Sequence, residues 1–401
     1  MTATAAPRLF TPAFAALFAA ALAFFTAGGT VLPVASRFAA GPLHADATGV
    51  GISIGAFAIA ALLLRPVVGW ASDRFGRRPL LVLGGVLTIV ALLFHLVVTT
   101  LPLFVVARSL LGIAEAFFFV AVVAAVSDLA PPERRGEAIN IGSLAVYLGL
   151  AIGPFLGETI LAWGGFEVVW LAAAAMAGIA TGLTLLVPET APGALRQRAT
   201  GQRPPRTPLI HPAGFLPGFL IMTGTWGMAA YFAFLPLYTT QLGIGSAGPA
   251  LALYALIVVT LRIVFAKLPD QIGAARLSAV ALVGSALGLG VLGLVASPTG
   301  VYLGTAIFAT GIAFLFPALL ALAVARVDEN ERGTVVGTTT AFVDLSFGLS
   351  PAILGLAVGA IGFGGIFVVS AIVAFGGSIL LGLLRDSLVR PVVPSPSRLP
   401  G

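Results

Sequence analysis

The stretch "GWASDRFGRRP", residues 69–79, concentrates charge in a chain that has little of it. Asp73, Arg74, Arg77 and Arg78 fall within six consecutive positions, whereas the chain of 401 residues contains only 21 Lys or Arg and 15 Asp or Glu. Long apolar runs lie on both sides of this stretch. A charged turn between two such runs indicates a loop at the membrane surface whose flanking segments cross the bilayer.

The composition of the rest of the chain is that of an integral membrane protein. Hydrophobic residues make up 59% of it, charged residues make up 9%, and the mean hydropathy is +1.09. One bilayer crossing takes about 20 apolar residues, and we predict twelve crossings by α-helices. The predicted spans are 12–36, 48–71, 79–99, 101–127, 137–160, 163–187, 214–239, 247–268, 276–297, 299–325, 334–360 and 361–385.

The basic residues separate by loop and predict the orientation. Of the 21 Lys or Arg, 17 lie on alternate loops and the termini, and Arg37 alone lies on the opposite face. The remaining three, Arg65, Arg108 and Arg262, lie within predicted spans. Because cytoplasmic loops carry the excess of Lys and Arg, we expect both termini in the cytoplasm. The net charge of +6 is therefore attributed to cytoplasmic loops and not to nucleic-acid binding.

Composition also predicts where the chain divides. Residues 188–213 contain six prolines and four arginines and are interpreted as a cytoplasmic linker. The linker separates an N-terminal six-helix bundle, residues 1–187, from a C-terminal six-helix bundle, residues 214–385. Residues 386–401 are rich in proline and are expected to form a disordered cytoplasmic tail.

An internal repeat relates the two predicted bundles. Rare residues recur at an offset of 197 positions, and because six spans intervene both copies have the same orientation. The fold class expected is therefore an all-α membrane protein of two parallel six-helix repeats with a cavity between them. The matching pairs are Arg65 and Arg262, Asp73 and Asp270, Gly76 and Gly273, Arg135 and Arg332, Gly136 and Gly333, and Pro154 and Pro351.

Several classes of activity are excluded by residues that the chain lacks. It has no cysteine, its three histidines are scattered, and its single lysine, Lys267, is followed by Leu268 and so forms no P-loop. We expect no catalytic residue, no metal site and no cofactor. The protein is not expected to be an enzyme, and any driving force must come from a gradient.

Four stretches resemble signatures of one transporter family. Gly69-x-x-x-Asp73-Arg74-x-Gly76-Arg77-Arg78 resembles the motif between helices 2 and 3 of the major facilitator superfamily. "RSLLG" (108–112) resembles its helix-4 arginine motif, and "PPERRG" (131–136) resembles the loop that follows. "GLAIGPFLG" (149–157) resembles the G-x-x-x-G-P-x-x-G motif of drug:proton antiporters. The resemblance covers essentially the whole chain and is greatest to the 12-helix drug:proton antiporter (sugar/drug efflux permease) branch.

The resemblance implies that the charged turn is part of a cytoplasmic gate. Asp73 would bind the start of span 334–360 or Arg135 and would release it when the transporter opens inward. Gly69 is expected to allow close helix approach and Gly76 a tight reversal; on charge alone, a turn that only sets orientation is the alternative. The residues assigned to the gate are Arg65, Gly69, Asp73, Arg74, Gly76, Arg77, Arg78, Arg135, Arg262, Asp270 and Arg332.

Ionisable residues within the spans are candidates for proton coupling. Glu115 is hypothesised to carry the proton, and the resemblance supports Arg108 as the coupling arginine; a packing role for a neutral Glu115 is the alternative. The two lie about 10 Å apart along one helix, so no direct salt bridge is expected. Asp344 is either a second proton site or a partner of Arg65. For Arg65 and Arg262, snorkelling or gate pairing is favoured over substrate binding.

The family architecture and the glycine motif add two further groups of residues. The glycine motif predicts a close helix contact, which the resemblance places between the two halves. Each pocket candidate could equally pack against a neighbouring helix. The pocket candidates are Thr26, Thr30, Phe118, Trp226, Tyr231 and Phe314, and the antiporter motif consists of Gly149, Gly153, Pro154 and Gly157.

Together these features predict a monomeric, multi-pass transporter of the cytoplasmic (inner) membrane. An aromatic, weakly polar cavity suits a small amphipathic or cationic solute, exported in exchange for protons by alternating access. The expected partners are this solute, protons and the lipid bilayer, with no nucleic acid. The alternatives are a proton-coupled or facilitative importer on the same fold and a membrane receptor that transports nothing.

Overall fold

The protein is built from apolar helices. The computed structural model describes residues 9–131, 134–191, 210–265, 271–325, 327 and 331–384, and these form helices and turns without a strand. Among them, nine helices are long and apolar enough to cross a membrane, and one apolar helix is shorter. The helices are α1 Pro12–Ala40, α2 Ala47–Phe75, α3 Arg77–Phe94, α4 Leu101–Leu129, α5 Arg135–Thr184, α6 Phe215–Gln241, α7 Gly248–Val264, α8 Ala274–Leu294, α9 Pro298–Val324 and α10 Arg332–Leu383.

The two longest helices are each interrupted by one glycine. Gly165 in α5 has φ 75° and Gly362 in α10 has φ 71°, a left-handed backbone that glycine adopts without the penalty of a Cβ. These breaks lie close to the predicted separations between spans 137–160 and 163–187 and between spans 334–360 and 361–385. The number of membrane crossings and the side on which the termini lie stay predictions.

The internal repeat is present in the backbone as well as in the sequence. Helices α3 and α8 begin at 77 and 274, α4 and α9 at 101 and 298, and α5 and α10 at 135 and 332, so each pair differs by 197. The left-handed glycines Gly76 and Gly273 differ by the same number, as do Gly165 and Gly362. Equivalent positions of the two copies can therefore be compared directly.

Contacts divide the chain into two compact units. The first comprises residues 1–205, 232–256 and 351–360, and the second comprises 206–231, 257–350 and 361–401. In the first unit, α1 packs along α5, while α2 and α3 pack on α4. In the second, α8 packs on α9. The division into two six-helix bundles with a linker and a tail stays a prediction.

The glycine motif on α5 makes the close contact that the sequence predicts. A Cβ at Gly149 would lie 2.7 Å from the backbone nitrogen of Thr26, and one at Gly153 would lie 2.6 Å from the Cα of Gly29. A Cβ at Gly157 would overlap the carbonyl group of Thr30. The partner of this stripe is α1, so these contacts lie within the N-terminal half and not between the halves as expected. Because these glycines have no side chains, the backbones of α1 and α5 come into direct contact.

Candidate functional site

Glu115 on α4 forms an ion pair with Arg65 on α2. Arg65 Nη2 lies 3.6 Å from Glu115 Oε1, and the side chains are 18% and 14% exposed. The guanidinium carbon of Arg65 also lies 4.6 Å from the centre of the Phe119 ring. Among the described residues, Oε2 of Glu115 is buried without a hydrogen-bond partner. Glu115 therefore has one oxygen facing a cation and one oxygen free to bind a proton or a donor.

This pairing differs from the role expected for Arg65. The sequence placed Arg65 in the cytoplasmic gate or opposite Asp344, because position along a helix does not show which neighbouring helix a side chain faces. The sequence offered one signal for the pair of Arg65 and Glu115. Both are charged, with opposite sign, and lie inside predicted spans, where such residues tend to pair with one another. Asp344 lies half-buried in α10.

Arg108 lies nearer the start of α4 and is almost completely buried. Its guanidinium carbon is 5.0 Å from the centre of the Phe57 ring on α2, and its Nε has no hydrogen-bond partner in the described part of the chain. Glu115 forms its ion pair with Arg65 and not with Arg108, as the spacing of two helical turns predicts. Arg108 thus contributes a buried positive charge on the same helix as the acid.

In the first unit, the pocket candidates are packed into the helix bundle. Phe118 is fully buried and stacks on Phe24 with ring centres 3.8 Å apart. The hydroxyl groups of Thr26 and Thr30 donate to the carbonyls of Leu22 and Thr26, four residues earlier on the same helix. These contacts favour the packing alternative for Phe118 and Thr30.

The second unit contains the other three pocket candidates. Tyr231 is fully buried, and its hydroxyl group lies 3.1 Å from Oγ1 of Thr305. Phe314 is also buried. Trp226 is half-buried, and its indole Nε1 is buried without a hydrogen-bond partner among the described residues. Trp226 is therefore the pocket candidate that keeps an unused donor.

The charged turn between α2 and α3 is held by residues from elsewhere in the first unit. Arg77 Nε lies 3.1 Å from Oδ2 of Asp128 at the end of α4, and its Nη1 donates to Ser72 Oγ. The carboxylate of Glu189 accepts hydrogen bonds from the backbone nitrogens of Arg77 and Arg78 at 2.8 and 3.3 Å. A carboxylate at this place stabilises the positive end of α3.

The two glycines of the turn behave differently from one another. Gly76 has φ 107° immediately before α3, which confirms the predicted tight reversal, and a Cβ there would overlap the Glu189 carboxylate. A Cβ at Gly69 would meet no described atom within 4 Å, and the close helix approach expected there stays a prediction. Arg74 is exposed and lies 5.4 Å from the centre of the Trp70 ring.

Other parts of the predicted gate are only partly visible. Asp270 and the side chains of Asp73 and Arg135 lie outside the described residues. Arg262 on α7 donates from Nε to the carbonyl oxygen of Ala313 at 3.0 Å. Arg332 begins α10 and is exposed. A cytoplasmic gate built from these residues stays a prediction.

Three charged residues with defined contacts were not singled out from the sequence as site residues. Asp128 and Glu189 hold the turn before α3, and Glu158 in α5 pairs with Arg37 at 2.7 Å. The sequence offered one signal for the pair of Glu158 and Arg37. Glu158 is an acid inside a predicted span, and Arg37 is the only basic residue predicted on the face opposite the basic loops.

Comparison with known proteins identifies the family. The model of the Major Facilitator Superfamily matches residues 16–351 and 247–400. The chain belongs to the Major Facilitator Superfamily. Membership makes it a multi-pass membrane transporter and not an enzyme, in agreement with its apolar helices.

Relatives of this superfamily member include bacterial transporters. An uncharacterised MFS-type transporter of Salmonella typhimurium is 30% identical over 352 residues, which cover 85% of this chain and 88% of that protein. Multidrug resistance protein 1 of Bacillus subtilis is 26% identical over 334 residues, which cover 82% of this chain and 85% of that protein.

Solved structures of the superfamily have the same fold. The human organic anion transporter MFSD10 (TETRAN) aligns with a TM-score of 0.70 at 20% identity, over 92% of this chain and 99% of its own. A D-xylose–proton symporter aligns with a TM-score of 0.75 at 17% identity, and the alignment covers 92% of this chain and 96% of the symporter. At these identities the likeness concerns the fold alone.

Proposed function

We propose that this transporter exports a small organic solute in exchange for protons and that Glu115 carries the proton. The observation that supports the proposal is the ion pair of Glu115 with Arg65, together with the second carboxylate oxygen that has no hydrogen-bond partner among the described residues. Ionisable residues inside membrane helices mark proton and substrate pathways by default.

The chemistry needed is one proton bound and released at a carboxylate. When Glu115 is ionised, it attracts Arg65; when it binds a proton, its charge disappears and this attraction is lost. Two unit charges about 4 Å apart attract by about 4 kcal/mol at an effective dielectric constant of about 20. A differential of a few kcal/mol is enough to shift a two-state equilibrium from one conformation to the other.

Arg108 has a supporting part in this scheme. It is a buried arginine on the same helix as Glu115, and the family resemblance supports it as the coupling arginine. Arg65 is the direct counter-charge because its guanidinium group lies 3.6 Å from the carboxylate of Glu115. Asp344 is the next candidate for the proton site if Glu115 does not carry it.

The solute and the direction of transport are inferred from two sources. Relatives at 26% and 25% identity are named multidrug resistance proteins 1 and 2 of Bacillus subtilis, which favours export of drug-like molecules. Trp226, the pocket candidate that is only half-buried, offers an aromatic ring, which suits an amphipathic cation better than a sugar, whose hydroxyl groups need denser hydrogen bonding. We place the protein in the cytoplasmic membrane as a monomer.

The test is extrusion of fluorescent amphipathic cations from cells that lack their own efflux pumps. Cells expressing the wild type should extrude at least one cation, and a protonophore should abolish the extrusion. Glu115→Gln keeps the size of the side chain but cannot ionise, so it should reduce extrusion by roughly tenfold or more.

Glu137→Gln is the matched control because Glu137 is an exposed acid at the start of α5, paired with Arg134 at 2.8 Å. It should extrude like the wild type. Protonophore-sensitive extrusion that survives in Glu115→Gln would reject Glu115 as the proton carrier. Uptake of the solute down a proton gradient would reject export in favour of the importer.

A further inference from the structure

Arg37 at the end of α1 is the centre of a polar cluster in the first unit. Its Nε donates to Oε1 of Glu158 on α5 at 2.7 Å. Its other two nitrogens reach the last turn of α6 and the loop that follows: Nη1 donates to Thr240 Oγ1 at 3.1 Å, and Nη2 donates to the carbonyl oxygen of Gly245 at 3.2 Å. One guanidinium group therefore joins three separate stretches of the chain.

Glu158 is bound from a second direction as well. Ser246 Oγ donates to Glu158 Oε2 at 2.9 Å, so both carboxylate oxygens have a partner. The Glu158 side chain is only 2% exposed. A buried carboxylate is tolerated where its charge is paired and its oxygens are hydrogen-bonded. Removal of Arg37 would leave this buried charge without its counter-ion.

Close backbone contacts in the same unit also join the two sequence repeats. A Cβ at Gly51, in the first turns of α2, would overlap the carbonyl group of Pro351 on α10. A Cβ at Gly355 would overlap the carbonyl oxygen of Ala47, the first residue of α2. Two stretches of the second sequence repeat, 240–246 and 351–355, are thus tied to helices of the first.

The position of these contacts relative to the membrane follows from the charge pattern. The basic loops are predicted on the cytoplasmic side, and Arg37 is the only Lys or Arg on the opposite face. Every Glu158 contact named above lies at that face. A transporter that alternates its access has to separate its two repeats there whenever it opens outward.

We propose that Arg37, Glu158, Thr240, Gly245 and Ser246 form an outer latch, which keeps the solute pathway closed on the outer side and breaks each time the transporter opens outward. The latch depends on the alternating access of the family and not on protons. A transporter without coupling at Glu115 would still have to open it.

The latch can be tested by measuring distances between spin labels in the purified full-length protein. The chain contains no cysteine, so Pro42→Cys and Gln241→Cys introduce the only labelling sites. Both positions are exposed, on the turn after α1 and at the end of α6. In the otherwise unchanged protein, short distances should dominate the distribution.

Loss of the latch should populate the outward-open form. Arg37→Ala and Glu158→Gln should each raise the fraction of longer distances by about threefold or more. Arg37→Lys keeps the charge but not the three-directional geometry, so it should give an intermediate rise and serves as the test if the other variants do not fold. The exchanged pair Arg37→Glu with Glu158→Arg should move the distribution back toward short distances.

Arg134→Ala provides the matched control. It removes an arginine from an ion pair of similar length, 2.8 Å to Glu137, on the basic side of the membrane. It should leave the label distances unchanged. An unchanged distribution in Arg37→Ala and Arg37→Lys would overturn the latch. Because neither solute nor proton enters this measurement, its failure is separate from failure of the proton-exchange proposal.

Discussion

The two repeats place the same arginine in different surroundings. Arg65 in the first repeat and Arg262 in the second are equivalent, because 65 plus 197 is 262. Arg65 faces the carboxylate of Glu115, whereas Arg262 donates to the backbone carbonyl of Ala313. The position equivalent to Glu115 is Ile312, which is buried among apolar side chains. Both repeats therefore keep the arginine, whereas the acid at the position of Glu115 is replaced by isoleucine in the second repeat.

The contact between the first and fifth helices of each repeat differs in a similar way. Gly149 and Gly153 meet the backbone of α1 directly. Their equivalents are Ser346 and Ser350, and these donate to the carbonyl oxygens of Met222 and Trp226 on α6 at 3.2 and 2.7 Å. Close backbone packing in the first repeat thus corresponds to hydrogen bonding in the second.

The largest expected effect is a difference in transport rate between variants of Arg65 and variants of Arg262. Arg65→Ala should lower proton-driven transport by about tenfold or more, because Glu115 loses its counter-charge. Arg262→Ala should lower it by less than about threefold, since it removes a hydrogen bond to a backbone carbonyl. Initial rates at matched expression would measure both. Equal losses in the two variants would remove the functional distinction between the repeats.

Arg65→Ala should also destabilise the protein. Removing one partner of a fully buried ion pair costs about 3–5 kcal/mol. The two side chains are 18% and 14% exposed, so we expect a smaller loss of about 1–3 kcal/mol after allowance for solvent screening. Arg65→Lys restores the charge and should recover part of the loss.

The next effect concerns the glycine contact. Gly153→Ala would place a Cβ 2.6 Å from the Cα of Gly29, and overpacking of this kind costs about 1–3 kcal/mol. Gly359→Ala in α10 is the control, because a Cβ there meets no described atom within 4 Å. Thermal denaturation in detergent should show a lower midpoint for Gly153→Ala only. Equal midpoints would mean that the helices separate easily at this crossing.

Ser350→Ala should have a smaller effect on the same measurement. It removes one hydrogen bond to a carbonyl oxygen of α6, which is worth about 0.5–1.5 kcal/mol. A loss larger than that of Gly153→Ala would show that the crossing in the second repeat is the more demanding one.

The smallest effect is expected at the start of α3. Glu189→Gln keeps an oxygen that can accept hydrogen bonds from the backbone of Arg77 and Arg78 but loses the negative charge beside the helix N-terminus. Such a charge contributes about 0.3–1 kcal/mol. Thermal denaturation at low and at high salt would measure it, and the difference from wild type should shrink as salt is raised. A difference that does not depend on salt would contradict the electrostatic explanation.

Hydropathy and charge were sufficient to predict the helices and the repeat, and four short motifs were sufficient to predict the family. Apolar runs mark spans by length alone, and the spacing of 197 reappears in helix starts and left-handed glycines. Rotation of each helix was less predictable. Helices that are apolar all round have a weak periodic signal, so the sequence could not show that Arg65 faces Glu115 or that Phe118 stacks on Phe24.

Long-range partners were the second gap. Glu189 lies 112 residues from Arg77, and Glu158 lies 121 residues from Arg37. Neither separation matches a local motif. Both contacts join a charged group to a partner brought near only by helix packing, so they follow from the fold and not from spacing along the chain.

The most direct test of the central claim compares two modes of transport in proteoliposomes that contain purified Glu115→Gln. The solute is a cation extruded by the wild type. Accumulation driven by a pH gradient requires a proton site, whereas exchange of labelled for unlabelled solute does not. We predict that Glu115→Gln loses gradient-driven accumulation and keeps exchange. Accumulation at the wild-type rate would contradict the assignment of the proton to Glu115.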